Sequence, residues 1–528
     1  MSRARAARLA AGLCVSVAPT SALAHGFAQR YDLPVPLGLY LAGSAAAVAL
    51  SFVVVAFFLR GHRTVERYPR LDLLAIPVVR GLAGPVPLLA VRLLSAGLFA
   101  LVIAAGLIGN ADPFKNLAPV MVWVIWWVGM AYVSGLAGPL WALINPWKIV
   151  FGAAESIARR VRPGARASLD LPYPRRLGCW PAVILFAGFV WAELVWPSSD
   201  TPSALARAAL VYSVITWMGM LLFGKHVWLR HGEAFSIVFG LLARFAPSEF
   251  RVTNRELCAS CESADCRSTA GDCINCEECF ERASRAERQF NLRPYAVGLL
   301  TARPVPASLM VFTLLMLSSV TFDGLLATPL WADVARLMLY SELLRPLVLL
   351  FQEITGDALS AVSTLALLAF LVVFQLAYLL FGALIYLFTP ARARAGARVG
   401  TVSGLFVLSL VPIALAYHLA HYLSFLLIIG QYAIPLASDP FGFGWNLFGT
   451  RLYFIDIGIV DARFVWFTSV IAIVVGHIVA VFLAHVMALR TFRDRRAALL
   501  SQIPMLLAMI AYTMLSLWIL AQPIVETG

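Results

Sequence analysis

About ten apolar runs, each long enough to cross ~30 Å of hydrocarbon, dominate the chain, near 38–59, 92–110, 118–143, 179–197, 205–224, 304–323, 362–389, 401–430, 462–489 and 500–520. In lipid a segment must satisfy its own backbone N–H and C=O groups, so runs of this length have to be helices. With 61% hydrophobic residues, 13% charged residues and a mean hydropathy of +0.83, the chain cannot hide its apolar surface in a soluble core. It is predicted to be an all-α polytopic membrane protein whose lipid-facing surface is its largest partner.

The formal net charge of +13 does not point to nucleic acid, because the arginines sit in loops between apolar runs rather than in one stripe. Residues 1–24 read as a signal peptide, with Arg3, Arg5 and Arg8, an apolar stretch from Leu9 to Pro19, and Ala22-Leu23-Ala24 as a cleavage site. Cleavage would leave His25 at the N-terminus, where amine and imidazole together can chelate copper. Arg60, Arg63, Arg67 and Arg70 follow the first run, and Arg159, Arg160, Arg162, Arg175 and Arg176 follow the third. These loops are expected in the cytoplasm, which puts the mature N-terminus and the C-terminus in the periplasm. Two segments fit no span: 234–245 is too short, and 333–353 carries Arg336, Glu342 and Arg345. Both are expected to be interfacial or re-entrant. The organisation is then signal peptide 1–24, helices over 25–246, a cysteine-rich insert at 247–303, and helices over 304–528. No internal symmetry or paired broken helices are evident, which disfavours a transporter.

The insert holds Cys258, Cys261, Cys266, Cys273, Cys276 and Cys279, spaced C-x2-C-x4-C-x6-C-x2-C-x2-C. On the cytoplasmic side these thiols stay reduced, so they are expected to bind metal rather than form disulfides. Cys258/Cys261 and Cys276/Cys279 make two C-x2-C knuckles of zinc-ribbon type, and zinc would fold a loop too small to fold alone. The run Cys273-Ile-Asn-Cys276-Glu-Glu-Cys279 equally imitates the start of a ferredoxin motif, so an iron–sulfur cluster stays open. Cys179, at a helix start, reads as a packing residue.

The second constellation lies within the apolar runs. Tyr417-His418-Leu-Ala-His421-Tyr422 puts two imidazoles on one helix face, and an antiparallel neighbour can bring His477 towards them. Ionisable groups at membrane depth cost about 2 kcal/mol or more unless paired, so they are functional candidates by default. Three imidazoles with an open fourth position suit a catalytic metal ion carrying hydroxide. The same residues would also suit b-type haem or copper, or plain hydrogen bonds between helices; c-type haem is excluded by the lack of a C-x2-C-H motif. Glu193 and Asp323 are further candidates, and the Gly/aromatic segment Ser438–Gly449 is expected to cap a pocket between the histidine-bearing helices.

The segment His25-Gly-Phe-Ala-Gln-Arg-Tyr-Asp-Leu-Pro-Val-Pro-Leu37, with the His-x2-His pair and Ser438-Asp-Pro-Phe-Gly442, resembles a proteobacterial family of inner-membrane proteins described as a component of a membrane-bound fenitrothion hydrolase. The resemblance implies hydrolysis of an organophosphorus triester in the bacterial inner membrane, with a second membrane protein as partner. It supplies no catalytic residues. Together with the histidines it leads to the expectation of a metal-dependent hydrolase component using His418, His421 and His477. The rival expectation is a redox or metal-handling membrane protein.

Overall fold

The computed structural model describes residues 31–59, 68–164, 167–261, 266–268, 271–300, 303–389, 398–492 and 494–525. His25 and the leader lie outside the described residues. Nine described helices are long and apolar enough to cross a membrane: α1 Leu37–Phe58, α2 Pro85–Ile108, α3 Leu117–Leu136, α6 Pro202–Phe223, α8 Ala307–Leu326, α11 Ala358–Phe388, α12 Val399–Ser438, α13 Ala462–Thr491 and α14 Arg495–Ile524. Between them come α4 Pro146–Val161, α5 Trp180–Leu194, α7 Ala234–Phe245, α9 Pro329–Tyr340 and α10 Arg345–Thr355. The chain is an all-α multi-pass membrane protein.

Run 179–197 condenses into α5, whose 15 residues end ahead of Pro197. Residues 333–353 become two helices rather than one, with Leu337, Tyr340, Leu343 and Ile354 exposed. That division turns an apolar face outward on a segment too short to span. The apolar segment 234–245 is α7 to the residue.

α7 belongs to a chain segment that enters the bundle and returns. Lys225 is paired with Glu281 of the insert, and the residues after α7 enter a strand of that same insert. Between them Glu233 reaches Tyr212, eleven residues or about 16 Å back from the end of α6. The break is capped from within: Glu233, fully buried, accepts from the backbone of Phe235 and Ser236, from Tyr212 Oη at 2.6 Å and from Asn145 Nδ2 at 3.3 Å. Asn145 itself caps α4. Each broken helix start thus caps its own orphan N–H groups away from water, as buried helix ends require, and the Asn145–Glu233 hydrogen bond joins the two caps.

Helices meet closely where side chains are small. A Cβ at Gly476 of α13 would stand 2.5 Å from Ala416 Cβ and 2.9 Å from Pro412 O of α12. Gly476→Ala is therefore expected to cost about 1–3 kcal/mol by overpacking, read as a lower unfolding temperature in detergent. Gly43→Ala, which meets nothing within 4 Å, is the control.

The insert is larger than its sequence bounds. It holds a four-stranded antiparallel sheet in the order β1-β4-β2-β3, with β1 Leu71–Asp72, β2 Ser248–Val252, β3 Cys273–Ile274 and β4 Arg288–Leu292. β1 comes from the loop after α1, so the module boundary at 247–303 is corrected to include residues near 70. The Tyr31 N–H donates to the Ile524 carbonyl, which puts both ends of the described chain on one side of the bundle.

Candidate acid-base site and metal centre

Two sites stand at opposite ends of the same helices. α5 and α8 start together, the Cys179 N–H donating to Ser308 Oγ at 2.9 Å, beside Arg230, which pairs with Glu278 of the cysteine module. Glu193 and Asp323 lie 14 and 15 residues further along, hence about 20 Å from that end.

At the far end the two carboxylates converge on α12. Asp323 Oδ2 accepts from Tyr422 Oη at 2.5 Å and stands 2.9 Å from His421 Nε2. Tyr422 Oη is also 3.3 Å from Glu193 Oε1, which accepts from Trp127 Nε1 at 2.7 Å. Trp127 comes from a π-helical stretch, Val120–Gly129, that widens α3 where it faces α12; such stretches recur at functional sites. A continuous chain runs Trp127–Glu193–Tyr422–Asp323–His421. The aromatic and imidazole members are buried while both carboxylates are partly exposed.

His418 lies beside this chain, its ring 4.7 Å from Tyr422 and 5.6 Å from Trp127. Its buried Nε2 has no hydrogen-bond partner, and it lines a cavity of about 20 Å³ with Trp127, Phe186, Met316 and Val320, room for one water. His477 does not join the pair. It turns towards α14, its ring 5.9 Å from Tyr512 and its Nδ1 2.8 Å from Ile473 O. Among the described residues, groups of three or more ligand atoms within 4.8 Å of one another occur only in the cysteine module, so the three-imidazole centre is not assembled. The reason is helical phase: Ala416 and Pro412, which meet Gly476, mark the α12 face turned to α13, and His418 and His421, two and five residues past Ala416, lie on the opposite face. His485 is structural, with Nδ1 3.0 Å from Gln502 Oε1 and Nε2 3.2 Å from Leu59 O.

The loop Ser438–Gly449 packs elsewhere than expected. Its Phe441 and Pro440 carbonyls accept from Asn110 N and Leu117 N, which bind it to the α2–α3 turn. Gly442, at φ +69°, is required there, since a Cβ would stand 2.4 Å from Lys115 O.

In the cysteine module the thiols are the core. Cys258, Cys261, Cys273, Cys276 and Cys279 are buried with Val252 and Ala283, and Cys266 is half-buried against them. So small an apolar cluster does not hold a fold alone, and a metal on the thiolates would. Sulfur separations of 3.4–3.8 Å are far from the ~2.05 Å of a disulfide. The Cys276 thiol ionises readily: the hydrogen-bonded Cys266, the Cys279 backbone and the Arg230 charge bring it down to about 5 against the effect of burial. Burial pushes Cys258 up to about 12. The cysteine cluster is a candidate metal site.

Ion pairs seat the module on the bundle. Lys148 reaches Glu277 at 2.6 Å and Glu281 at 3.0 Å, and Lys225 and His226 reach Glu281 at 3.3 and 3.2 Å. Burial alone would raise the Glu281 carboxyl, but His226, Lys148 and Lys225 hold it well below the usual range. Its contribution is therefore present at neutral pH and is lost as pH falls through that depressed value.

Comparison with protein-family models, with curated proteins and with solved structures gave no match to this chain.

Proposed function

We propose that the chain is the membrane-embedded component of a hydrolase, with the His421–Asp323 pair as its acid–base centre. The observation that carries this is the 2.9 Å contact between His421 Nε2 and Asp323 Oδ2 in a network whose carboxylates remain partly exposed. A carboxylate on one ring nitrogen fixes the tautomer and leaves the lone pair on the other, which makes the imidazole a general base for water. Tyr422 would give its single hydroxyl proton to Asp323 at 2.5 Å, with Glu193 3.3 Å from the same oxygen, and so hold the Asp323 carboxylate in place against His421. The substrate class, an organophosphorus triester, comes from the family resemblance alone. His418, with an unpartnered nitrogen beside a water-sized cavity, is the second candidate for holding that water. The cysteine module would be structural or a docking surface for a second membrane protein. Membranes carrying His421→Ala, assayed with a nitrophenyl phosphotriester, are expected to lose turnover at unchanged protein content, and retained turnover would end this proposal.

A redox or metal-handling role is the second reading, favoured by the gathering of six thiols at the ends of the helices. Visible absorbance separates the two: haem and iron–sulfur centres are coloured, whereas zinc is silent.

A further inference from the structure

The six thiols form two overlapping sets rather than one set of four. Cys261, Cys266, Cys276 and Cys279 place their sulfurs within 4.8 Å of one another, and so do Cys258, Cys273 and Cys279. Cys279 belongs to both. Cys266, a member of the first, also touches one thiol of the second, its Sγ lying 3.8 Å from Cys261 and 3.4 Å from Cys273.

These distances select a kind of centre. Thiolates arranged tetrahedrally at 2.3 Å from one zinc-class ion stand about 3.8 Å apart, which is the Cys261–Cys276 separation of 3.8 Å. One such ion uses four thiolates and would leave Cys258 and Cys273, at 0% and 1% exposure, without a role. An iron–sulfur cluster brings its own sulfide and also needs only four. Two four-coordinate ions that share two thiolates need six, the number present.

We propose that the module is a binuclear thiolate centre. Cys261 and Cys276 are terminal ligands of one soft divalent ion, Cys258 and Cys273 of a second, and Cys266 and Cys279 bridge them. The thiols give up their protons on binding. Six thiolates with two divalent ions leave a net charge of −2, and Arg230, which faces Cys276, Cys261 and Cys266, offsets part of it. The assignment is independent of the hydrolase proposal, because this centre lies at the other end of the helices.

The test is metal content of the detergent-purified full chain, by elemental analysis and native mass spectrometry, with acid-labile sulfide measured alongside. Zinc in about a 2:1 ratio to protein without sulfide is expected, falling to about 1:1 in Cys258→Ala. A wild-type ratio of about 1:1, unchanged by Cys258→Ala, would overturn the binuclear assignment, as would iron accompanied by sulfide. The wild-type ratio decides the matter even where the variant does not fold.

Discussion

Arg293→Ala is expected to loosen the cysteine module from the helix bundle at a cost of about 3–5 kcal/mol, the range for breaking a buried ion pair by removing one partner. The Arg293 side chain is 1% exposed and its Nη1 stands 2.7 Å from Glu249 Oε2, whose side chain is 0% exposed. The same guanidinium donates to the carbonyls of Ala243, Arg244 and Ala246 at the end of α7. Truncation would leave those orphan acceptors without a donor, and leave the Glu249 carboxylate only Arg70 at 2.6 Å and Tyr68 at 3.1 Å. Arg293→Lys should recover little, because a point charge cannot reproduce the fork. Arg282→Ala, by contrast, removes an exposed pair with Glu278 and is expected to stay within about 0.5 kcal/mol. Hydrogen exchange of β2 and β4 in detergent reads the difference, and unchanged protection in Arg293→Ala would mean that the module is seated by its other contacts.

That pair shows why the sequence foretold the helices better than the module. Hydrophobic length is a local property, so the apolar runs, and even the bounds of α7, could be read residue by residue. Arg70 reaches Glu249 across 179 positions of sequence and the adjoining β1 pairs with the still more distant β4, and nothing local to Leu71 marks it as a strand. The cysteines announced a metal site by spacing, yet which thiols are shared depends on how Cys266 and Cys279 fold back. The intramembrane site was legible in part. His418, His421, Glu193 and Asp323 stood out as charges in apolar runs, whereas Tyr422 and Trp127 looked like ordinary membrane aromatics. His477 was misjudged because the face that a helix turns to its neighbour is set by contacts such as Gly476 with Pro412, not by depth in the membrane.

Asp323→Asn is expected to lower turnover of a nitrophenyl phosphotriester by about 10²–10⁴-fold, as much as His421→Ala, although the side chain it creates nearly matches the original in shape. An amide at 2.9 Å from His421 Nε2 can donate to that nitrogen as well as accept from it. The imidazole can then adopt the tautomer whose other nitrogen is protonated and no longer serves as a base. Asp323 would act through His421, as a positioning residue, so the loss should fall on kcat rather than KM, and the pH–rate profile should shift. Tyr422→Phe would remove the hydroxyl that donates to Asp323 at 2.5 Å and lies 3.3 Å from Glu193, and leave the Asp323 carboxylate without that donor. Its effect should be non-additive with Asp323→Asn, because both disturb one network. A purely structural network predicts a different pattern, in which Asp323→Asn and His421→Ala lower the amount of inserted protein while the turnover per molecule and its pH profile stay as in the wild type.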